Sequence, residues 1–500
     1  MLITHVAAFS HYRISILSHY QISRMNKQYI NGKWIDAIDN KTYPLINPAT
    51  EETIAEISFA TDKDARIAID AAHEAFKTWS KTTPYTRAEI LKKAANYLRE
   101  NLTAIAKDMV NESGKPFAEA KGEWTVAANL FEWYAEECKR AYGKVIPTNR
   151  LDKRSSVIWQ PMGVIGVITA WNFPAYNPAR AWAAALAAGC TVVAKPSEET
   201  PLSAFYMALA LAEAGLPNGV LNIVIGDASA IGDEMLSNPK LKKISFTGST
   251  RVGKILMDGA SRTNTKLSLE LGGNAPVLIF DDVDVNAIAK ATSVARFRNN
   301  GQVCIAPQRF YIHKNIYKQF SEAVTKYVSQ LKVGNGFEDG VNVGPLITKK
   351  QKESVVDLLE KAKSENAEIL TGGNIPSHLE KGYFLQPAVV ANLEQSSTLA
   401  HNEIFGPVLP LFSFDDLDDG IKKANDTEYG LAAYIFTNNL KTAVHASERL
   451  EFGMIGINEW APHSTELPFG GWKQSGQGHE SGSEGLYEYM EKKLVSVGGL

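Results

Sequence analysis

Three side chains far apart in the chain, Cys304, Glu270 and Asn172, are of the types that together transfer an acyl group. Cys304 lies in Asn299-Asn-Gly-Gln-Val-Cys-Ile-Ala-Pro307, a polar, glycine-containing loop, which is the wrong setting for an inert core cysteine. A thiol with an ordinary pKa of about 8.5 is mostly protonated at neutral pH, so a base or a local dipole must help it attack. Glu270 stands between two leucines in Leu269-Glu-Leu-Gly-Gly-Asn-Ala-Pro276, just before a glycine pair. In a partly apolar crevice such a carboxylate rises in pKa and can act as a general base; the bland use of the same group is an interdomain salt bridge. Asn172, in Ile168-Thr-Ala-Trp-Asn-Phe-Pro174, follows a buried strand. Its side-chain N–H could stabilise a developing oxyanion, an interaction worth about 2.7–4 kcal/mol, or simply satisfy a turn. Nucleophile, base and oxyanion donor make a complete set for acyl transfer.

Two further motifs suit a dinucleotide. In Val193-Ala-Lys-Pro-Ser-Glu198, the Lys195 ammonium can donate to a ribose diol and the Glu198 carboxylate can accept from it; a surface ion pair is the alternative. Ile244-Ser-Phe-Thr-Gly-Ser-Thr-Arg-Val-Gly253 reads as strand, small-residue turn and helix start, so Gly248 and Ser249 would present helical N–H groups to a phosphate. The spacing is not GxGxxG, and an ordinary N-cap also explains Ser249.

These residues need elements to hold them. Five hundred residues imply two to four domains at about 100–200 residues each. With 45% apolar and 21% charged residues the chain is globular, and a formal charge of -3 argues against a nucleic-acid partner. The three cysteines, Cys138 on a helix, Cys190 at a buried strand and Cys304, show no CxxC spacing. They exclude a disulfide framework and a thiolate metal site and suit a reducing, cytoplasmic setting. No apolar run reaches the roughly 18–20 residues that span a bilayer.

Apolar spacing predicts helices from Asp64 to Trp79, from Pro84 into Leu102 and from Ala118 to Tyr142. Beyond Gln160, short β-branched runs alternate with helices: strands at Val164–Thr169, Thr191–Ala194, Leu221–Ile225 and Lys243–Phe246, then a second series with Val277–Phe280 and Phe310–His313. The pattern predicts α/β architecture with two tandem doubly wound domains on parallel sheets. Lys144–Gln160 and the tail after Tyr489 read as strands outside both series, candidates for a small sheet joining subunits. The first 25 residues contain no Asp or Glu and read as an unstructured extension, with a targeting segment as the alternative.

In this order the five segments resemble the NAD(P)-dependent aldehyde dehydrogenase superfamily. Glu403-Ile-Phe-Gly-Pro-Val408, Gly453 to Asn458 and Pro468-Phe-Gly-Gly-Trp-Lys-Gln-Ser-Gly476 match it as well, so the likeness runs from Met25 to the C-terminus. The resemblance implies a Rossmann-like NAD-binding domain over 26–143 and 159–271, a catalytic domain over 272–460, and a bridging sheet from 144–158 and 478–500 in a homodimer or homotetramer. It implies that Cys304 attacks an aldehyde, that Asn172 and the Cys304 N–H hold the oxyanion, and that Glu270 activates water against the thioester. Trp171, Lys195, Glu198, Gly248, Ser249, Glu403 and Phe405 would hold the cofactor. Glu198 would repel a 2′-phosphate, which predicts NAD over NADP.

For substrate, Arg180, Arg298 and Ser464 match carboxylate-binding positions of succinate-semialdehyde dehydrogenases, and the resemblance implies a short semialdehyde. Pairing of Arg180 with a protein carboxylate is the alternative. Trp182, Trp460 and His463 depart from that group's pattern and bear on chain length; an uncharged or aromatic aldehyde is the second reading. Ile305 and Ala306 follow the nucleophile, so no neighbouring cysteine can form a disulfide with it. Transfer of the acyl group to CoA is disfavoured by Glu270, because a positioned base favours hydrolysis. A purely structural role for the fold is disfavoured by the intact triad, and a resident metal is not expected.

Overall fold

The computed structural model describes residues 26–500; the N-terminal extension expected over 1–25 lies outside them. Four helices open the chain after two small hairpins: Asp62–Trp79, Pro84–Glu100, Leu102–Ser113 and Phe117–Glu137. The sequence pattern predicted three. It ran the second helix into Leu102 and missed the one that follows, because Asn101 leaves helical geometry at φ -99°, ψ 6° while its amide donates to the Tyr97 carbonyl at 2.8 Å. Gly114, at φ 73°, then ends the Leu102–Ser113 helix in the left-handed conformation that a glycine takes without steric cost. The third predicted helix stops at Glu137 instead of Tyr142, where Cys138–Arg140 tighten into a 3-10 turn.

The first large sheet has five parallel strands at its heart. The chain builds outward from Val164–Ile168 through Thr191–Lys195 to Leu221–Ile223, then returns to the other side of Val164–Ile168 with Leu241–Thr247 and Lys266–Glu270. The direction of building reverses beside Val164–Ile168, and crevices for ligands form at such reversals, at the carboxyl ends of the strands. Gln28–Ile30 extends one edge, antiparallel to Leu221–Ile223, and Gly476–Gln477 extends the other, antiparallel to Lys266–Glu270. Helices cover both faces. One apolar cluster joins Trp124, Phe131, Trp182 and Phe205, while another, around Ile69, Ile231 and Leu256, fills the opposite side.

The second sheet has seven strands, in the order Glu368–Thr371, Ala388–Ala391, Val408–Phe414, Pro307–His313, Ala275–Ile279, Ala432–Phe436, Met454–Ile457. All are parallel except the first, which pairs antiparallel with Ala388–Ala391. Only Leu271–Asn274 separates the last strand of the first parallel set from Ala275–Ile279 of the second. Glu270 therefore stands at the junction of two α/β sheets.

Lys144–Ile146, Lys153–Pro161 and Met490–Gly498 form a separate antiparallel sheet of three strands. Its apolar residues face outward, with Val145 85% exposed and Leu494 66%. Among the described residues, no helix is long and apolar enough to cross a membrane.

Candidate active site

The loop that delivers Cys304 bends sharply. Asn299, Asn300 and Gly301 follow one another at φ 47°, 55° and 71°, all left-handed. Such geometry costs the two asparagines roughly 1–3 kcal/mol each and persists only where the surroundings impose it. They do so here by backbone contact: a Cβ on Gly301 would lie 2.3 Å from the Gly406 carbonyl. Gly273, three residues after Glu270, would set a Cβ 2.2 Å from the carbonyl of Cys304 itself. The glycine pair thus lets the strand end carrying Glu270 approach the nucleophile.

Asn172 meets the same loop. Its amide nitrogen donates to the Gln302 carbonyl at 3.0 Å, and its own carbonyl accepts from the Asn299 amide at 2.9 Å and from the Lys115 ammonium at 3.0 Å. Asn177 donates to the Asn172 side-chain oxygen at 3.2 Å. Three elements from the two halves of the molecule converge on one point, and all three acyl-transfer candidates gather there.

Their electrostatics follow from burial. Cys304 is half-buried, and desolvation pushes its thiol up to about 12; Glu270 and Glu403 act in the same direction and Arg180 against it. Glu270 is buried, with Oε2 lacking a hydrogen-bond partner. Desolvation, then the nearby Glu480 carboxylate, hold its pKa well above the ordinary range, with Arg180 again opposing. A carboxyl raised in this way takes up a proton more readily than an ordinary one.

Arg180 departs from the open carboxylate clamp expected of it. Its guanidinium is 1% exposed, pairs through Nε with Glu480 at 2.9 Å, and lies between the rings of Tyr176 and Phe469, 4.8 and 4.2 Å from their centroids. Of the two readings, pairing with a protein carboxylate is the one found, because a charge at this depth needs a partner. Nη2 donates to Asn177 at 3.2 Å, Nε meets Glu480 as an ion pair without hydrogen-bond geometry, and Nη1 has neither kind of partner. Arg298 is different: it is exposed, makes no ion pair among the described residues, and its guanidinium lies 5.2 Å from the Phe173 ring centroid. It borders a cavity of about 690 Å³ whose walls include Tyr434, Trp460 and the two sequence neighbours of Cys304, Val303 and Ile305. Ser464 sits on the adjoining loop with His463, whose pKa is pushed down to about 4 by burial and by Arg298 and Arg180, so the imidazole is neutral.

The dinucleotide candidates lie at the carboxyl ends of the first sheet. Lys195 Nζ bonds Glu198 at 2.7 Å, a pair whose carboxylate remains partly exposed. Ser249 caps the helix Thr250–Ser261 by accepting from the Val252 N–H, and a Cβ on Gly248 would strike the Phe246 ring. Glu403 accepts from the Gly273 N–H at 2.9 Å through Oε1, and burial raises it to about 7. Trp171 and Phe405 meet edge to face at 5.4 Å, Phe405 in a left-handed conformation. Together these groups supply a helix N-terminus, a partly open lysine–carboxylate pair, a buried carboxylate and an aromatic edge. They fit a dinucleotide. Among the described residues, no cluster of His, Cys, Asp or Glu could hold a metal ion.

Several contributors escaped the sequence reading: Lys115, Glu119, Glu123, Asn299, Gln302 and Glu480. The first three had a visible signal, charges at four-residue spacing on and just ahead of one helix. Glu480 had none, since its partner lies 300 residues away.

Comparison with known proteins adds lineage to this geometry. Residues 34–495 match the Aldehyde dehydrogenase family. A mitochondrial succinate-semialdehyde dehydrogenase of Arabidopsis thaliana is 44% identical over 94% of this chain and 89% of its own length. The NADP(+) succinate-semialdehyde dehydrogenase GabD of Escherichia coli is 42% identical over 94% of this chain and 97% of its own. A crystal structure of Staphylococcus aureus betaine aldehyde dehydrogenase in complex with NAD+ superimposes with a TM-score of 0.93 at 33% identity, covering 96% of this chain and 98% of the other.

The raised thiol has a direct consequence for the cofactor-free protein. Iodoacetamide labelling of Cys304, followed by peptide mass spectrometry, should still be accelerating above about pH 9.5, where a free cysteine has levelled off. A plateau reached near pH 8 would contradict the assigned environment.

Proposed function

The chain belongs to the aldehyde dehydrogenase family, and from that membership we propose that it oxidises a short semialdehyde, succinic semialdehyde foremost, to the dicarboxylate with NAD. The observation that carries the substrate assignment is Arg298, an unpaired cation at the edge of the cavity beside Cys304. A distal carboxylate would meet it there, with Arg180 Nη1 and the Ser464 hydroxyl as further donors. Each charge-assisted hydrogen bond contributes about 1.5–3 kcal/mol.

In the mechanism, the Cys304 sulfur adds to the aldehyde carbon and gives up its proton, forming a thiohemiacetal. The Asn172 amide and the Cys304 backbone N–H hold the oxyanion in place. NAD, when bound, supplies the hydride acceptor. Loss of hydride leaves a thioester on Cys304. Glu270 takes a proton from water as the water adds to that thioester, and the acid departs with Cys304 again a thiol. Trp171, Lys195, Glu198, Gly248, Ser249, Glu403 and Phe405 would seat the dinucleotide in the domain 26–143 and 159–271, with Cys304 on the domain 272–460.

Glu198 supports NAD over NADP, because a carboxylate accepts from a 2′-hydroxyl and repels a 2′-phosphate. The outward apolar face of the three-stranded sheet, 144–158 with 478–500, supports a homo-oligomer, since exposed strands of this length call for a partner. Three unpaired cysteines support a cytoplasmic setting.

The decisive measurement is kcat/KM across succinic semialdehyde, glutaric semialdehyde, lactaldehyde, propanal and an aromatic aldehyde. Arg298→Ala should raise KM for succinic semialdehyde by about 10- to 100-fold, the loss of roughly 1.4–2.8 kcal/mol, and leave propanal within about twofold. Equal effects on both substrates would remove the carboxylate assignment. The wild-type enzyme should favour NAD over NADP by at least about tenfold, and Glu198→Ser should narrow that ratio. Equal kcat/KM for the two cofactors would refute the argument from charge. Light scattering should give a dimer or tetramer that Leu494→Lys with Val497→Lys disrupts; a monomeric wild type would rule the sheet out as an interface.

A further inference from the structure

One face of one helix touches both loops of the active site. Lys115 lies two residues ahead of the helix Phe117–Glu137, and Glu119 and Glu123 follow within it four residues apart, the spacing that aligns side chains on one helix face. Glu123 Oε1 accepts from the N–H groups of Ala175 at 2.8 Å and Tyr176 at 3.1 Å, and its other oxygen pairs with Lys115. The Lys115 ammonium also donates to the Asn172 carbonyl at 3.0 Å. Glu119 Oε2 accepts from the Asn299 N–H at 2.8 Å, the first residue of the left-handed run that turns Cys304 into the site. The Asn299 amide closes the ring by donating to the Asn172 carbonyl at 2.9 Å.

The Lys115–Glu123 pair is buried, with side chains 1% and 2% exposed. Stability alone is a poor account of it, because well-packed apolar residues usually hold a helix as well as a buried ion pair does. Geometry is a better one. A strained turn keeps its shape only if its N–H groups have fixed acceptors, and Glu119 is the acceptor at the residue where the strain begins.

We propose that Glu119 is a positioning residue for acylation, holding the Cys304 loop in register with Asn172 through the Asn299 N–H while Lys115 and Glu123 fix the Asn172 loop from the same end of that helix. It acts through an accepted hydrogen bond, so the charge is dispensable and the acceptor is not. The proposal rests on the reading of Cys304 as nucleophile and Asn172 as oxyanion donor.

Two nearly isosteric variants separate the possibilities. Glu119→Gln keeps an oxygen that can accept from Asn299, and Glu119→Met does not. The readout is the single-turnover rate of NADH formation from propanal, an uncharged aldehyde indifferent to Arg298, together with the affinity for NAD. Glu119→Met should slow that rate by about 10- to 100-fold with NAD affinity within about twofold, and Glu119→Gln should stay within about threefold of wild type. An unchanged rate in Glu119→Met, or equal loss in both variants, overturns the proposal. If Glu119→Met does not fold, Glu119→Ala replaces it under the same criteria. Cys304→Ala is the control: NADH formation surviving in it would overturn the underlying reading of the nucleophile instead.

Discussion

The approach of Gly273 to the carbonyl of Cys304 is the constraint on which the site depends. Glu270 ends a strand of one sheet, and Cys304 lies just ahead of Pro307–His313, a strand of the other. No side chain could fit between them, since even a Cβ would come within 2.2 Å of the oxygen. Backbone contact of this kind leaves no room for slack. The sheets are held in register at the point where the Glu270 strand end and the Cys304 loop meet, and Gly301 repeats the device against Gly406. Precision of this order is what catalysis by positioning requires.

A second theme is the removal of charge from water. Desolvation is the largest influence on Cys304, Glu270 and Glu403, and it raises all three. Arg180 pulls the first two back, but its own charge is already engaged by Glu480 and by the rings of Tyr176 and Phe469. In this form the thiol is neutral at pH 7, and the Glu270 carboxyl is shifted in the same sense. His463 is likewise held neutral by desolvation, with the charges of Arg298 and Arg180 acting in the same sense. Arg298, by contrast, is exposed and makes no ion pair among the described residues.

Much of the molecule was legible from the chain. Continuous β-branched runs such as Val164–Ile168 and Thr191–Lys195 bury both faces, so their pattern revealed two parallel α/β sheets. Cys304 stood out because its polar loop is the wrong setting for a core cysteine, whereas Glu270 and Asn172 each had an ordinary structural use and gained meaning only together with it. The helix Leu102–Ser113 went unseen because Asn101 interrupts it with a side-chain hydrogen bond that spacing alone does not reveal. Arg180 was read as an open clamp or a buried ion pair, and the choice hung on Glu480, a residue no local pattern connects to it.

The sequence by itself determined the class of fold and the family, and it singled out Cys304, Glu270 and Asn172 as candidates, because these rest on local periodicity and on chemistry carried by single residues. Only the tertiary structure decided which groups are charged, which arginine is free, and that Lys115, Glu119 and Glu123 hold two distant loops together. Those properties come from desolvation and from contacts between segments remote in the chain, and neither is a property of any one stretch of residues.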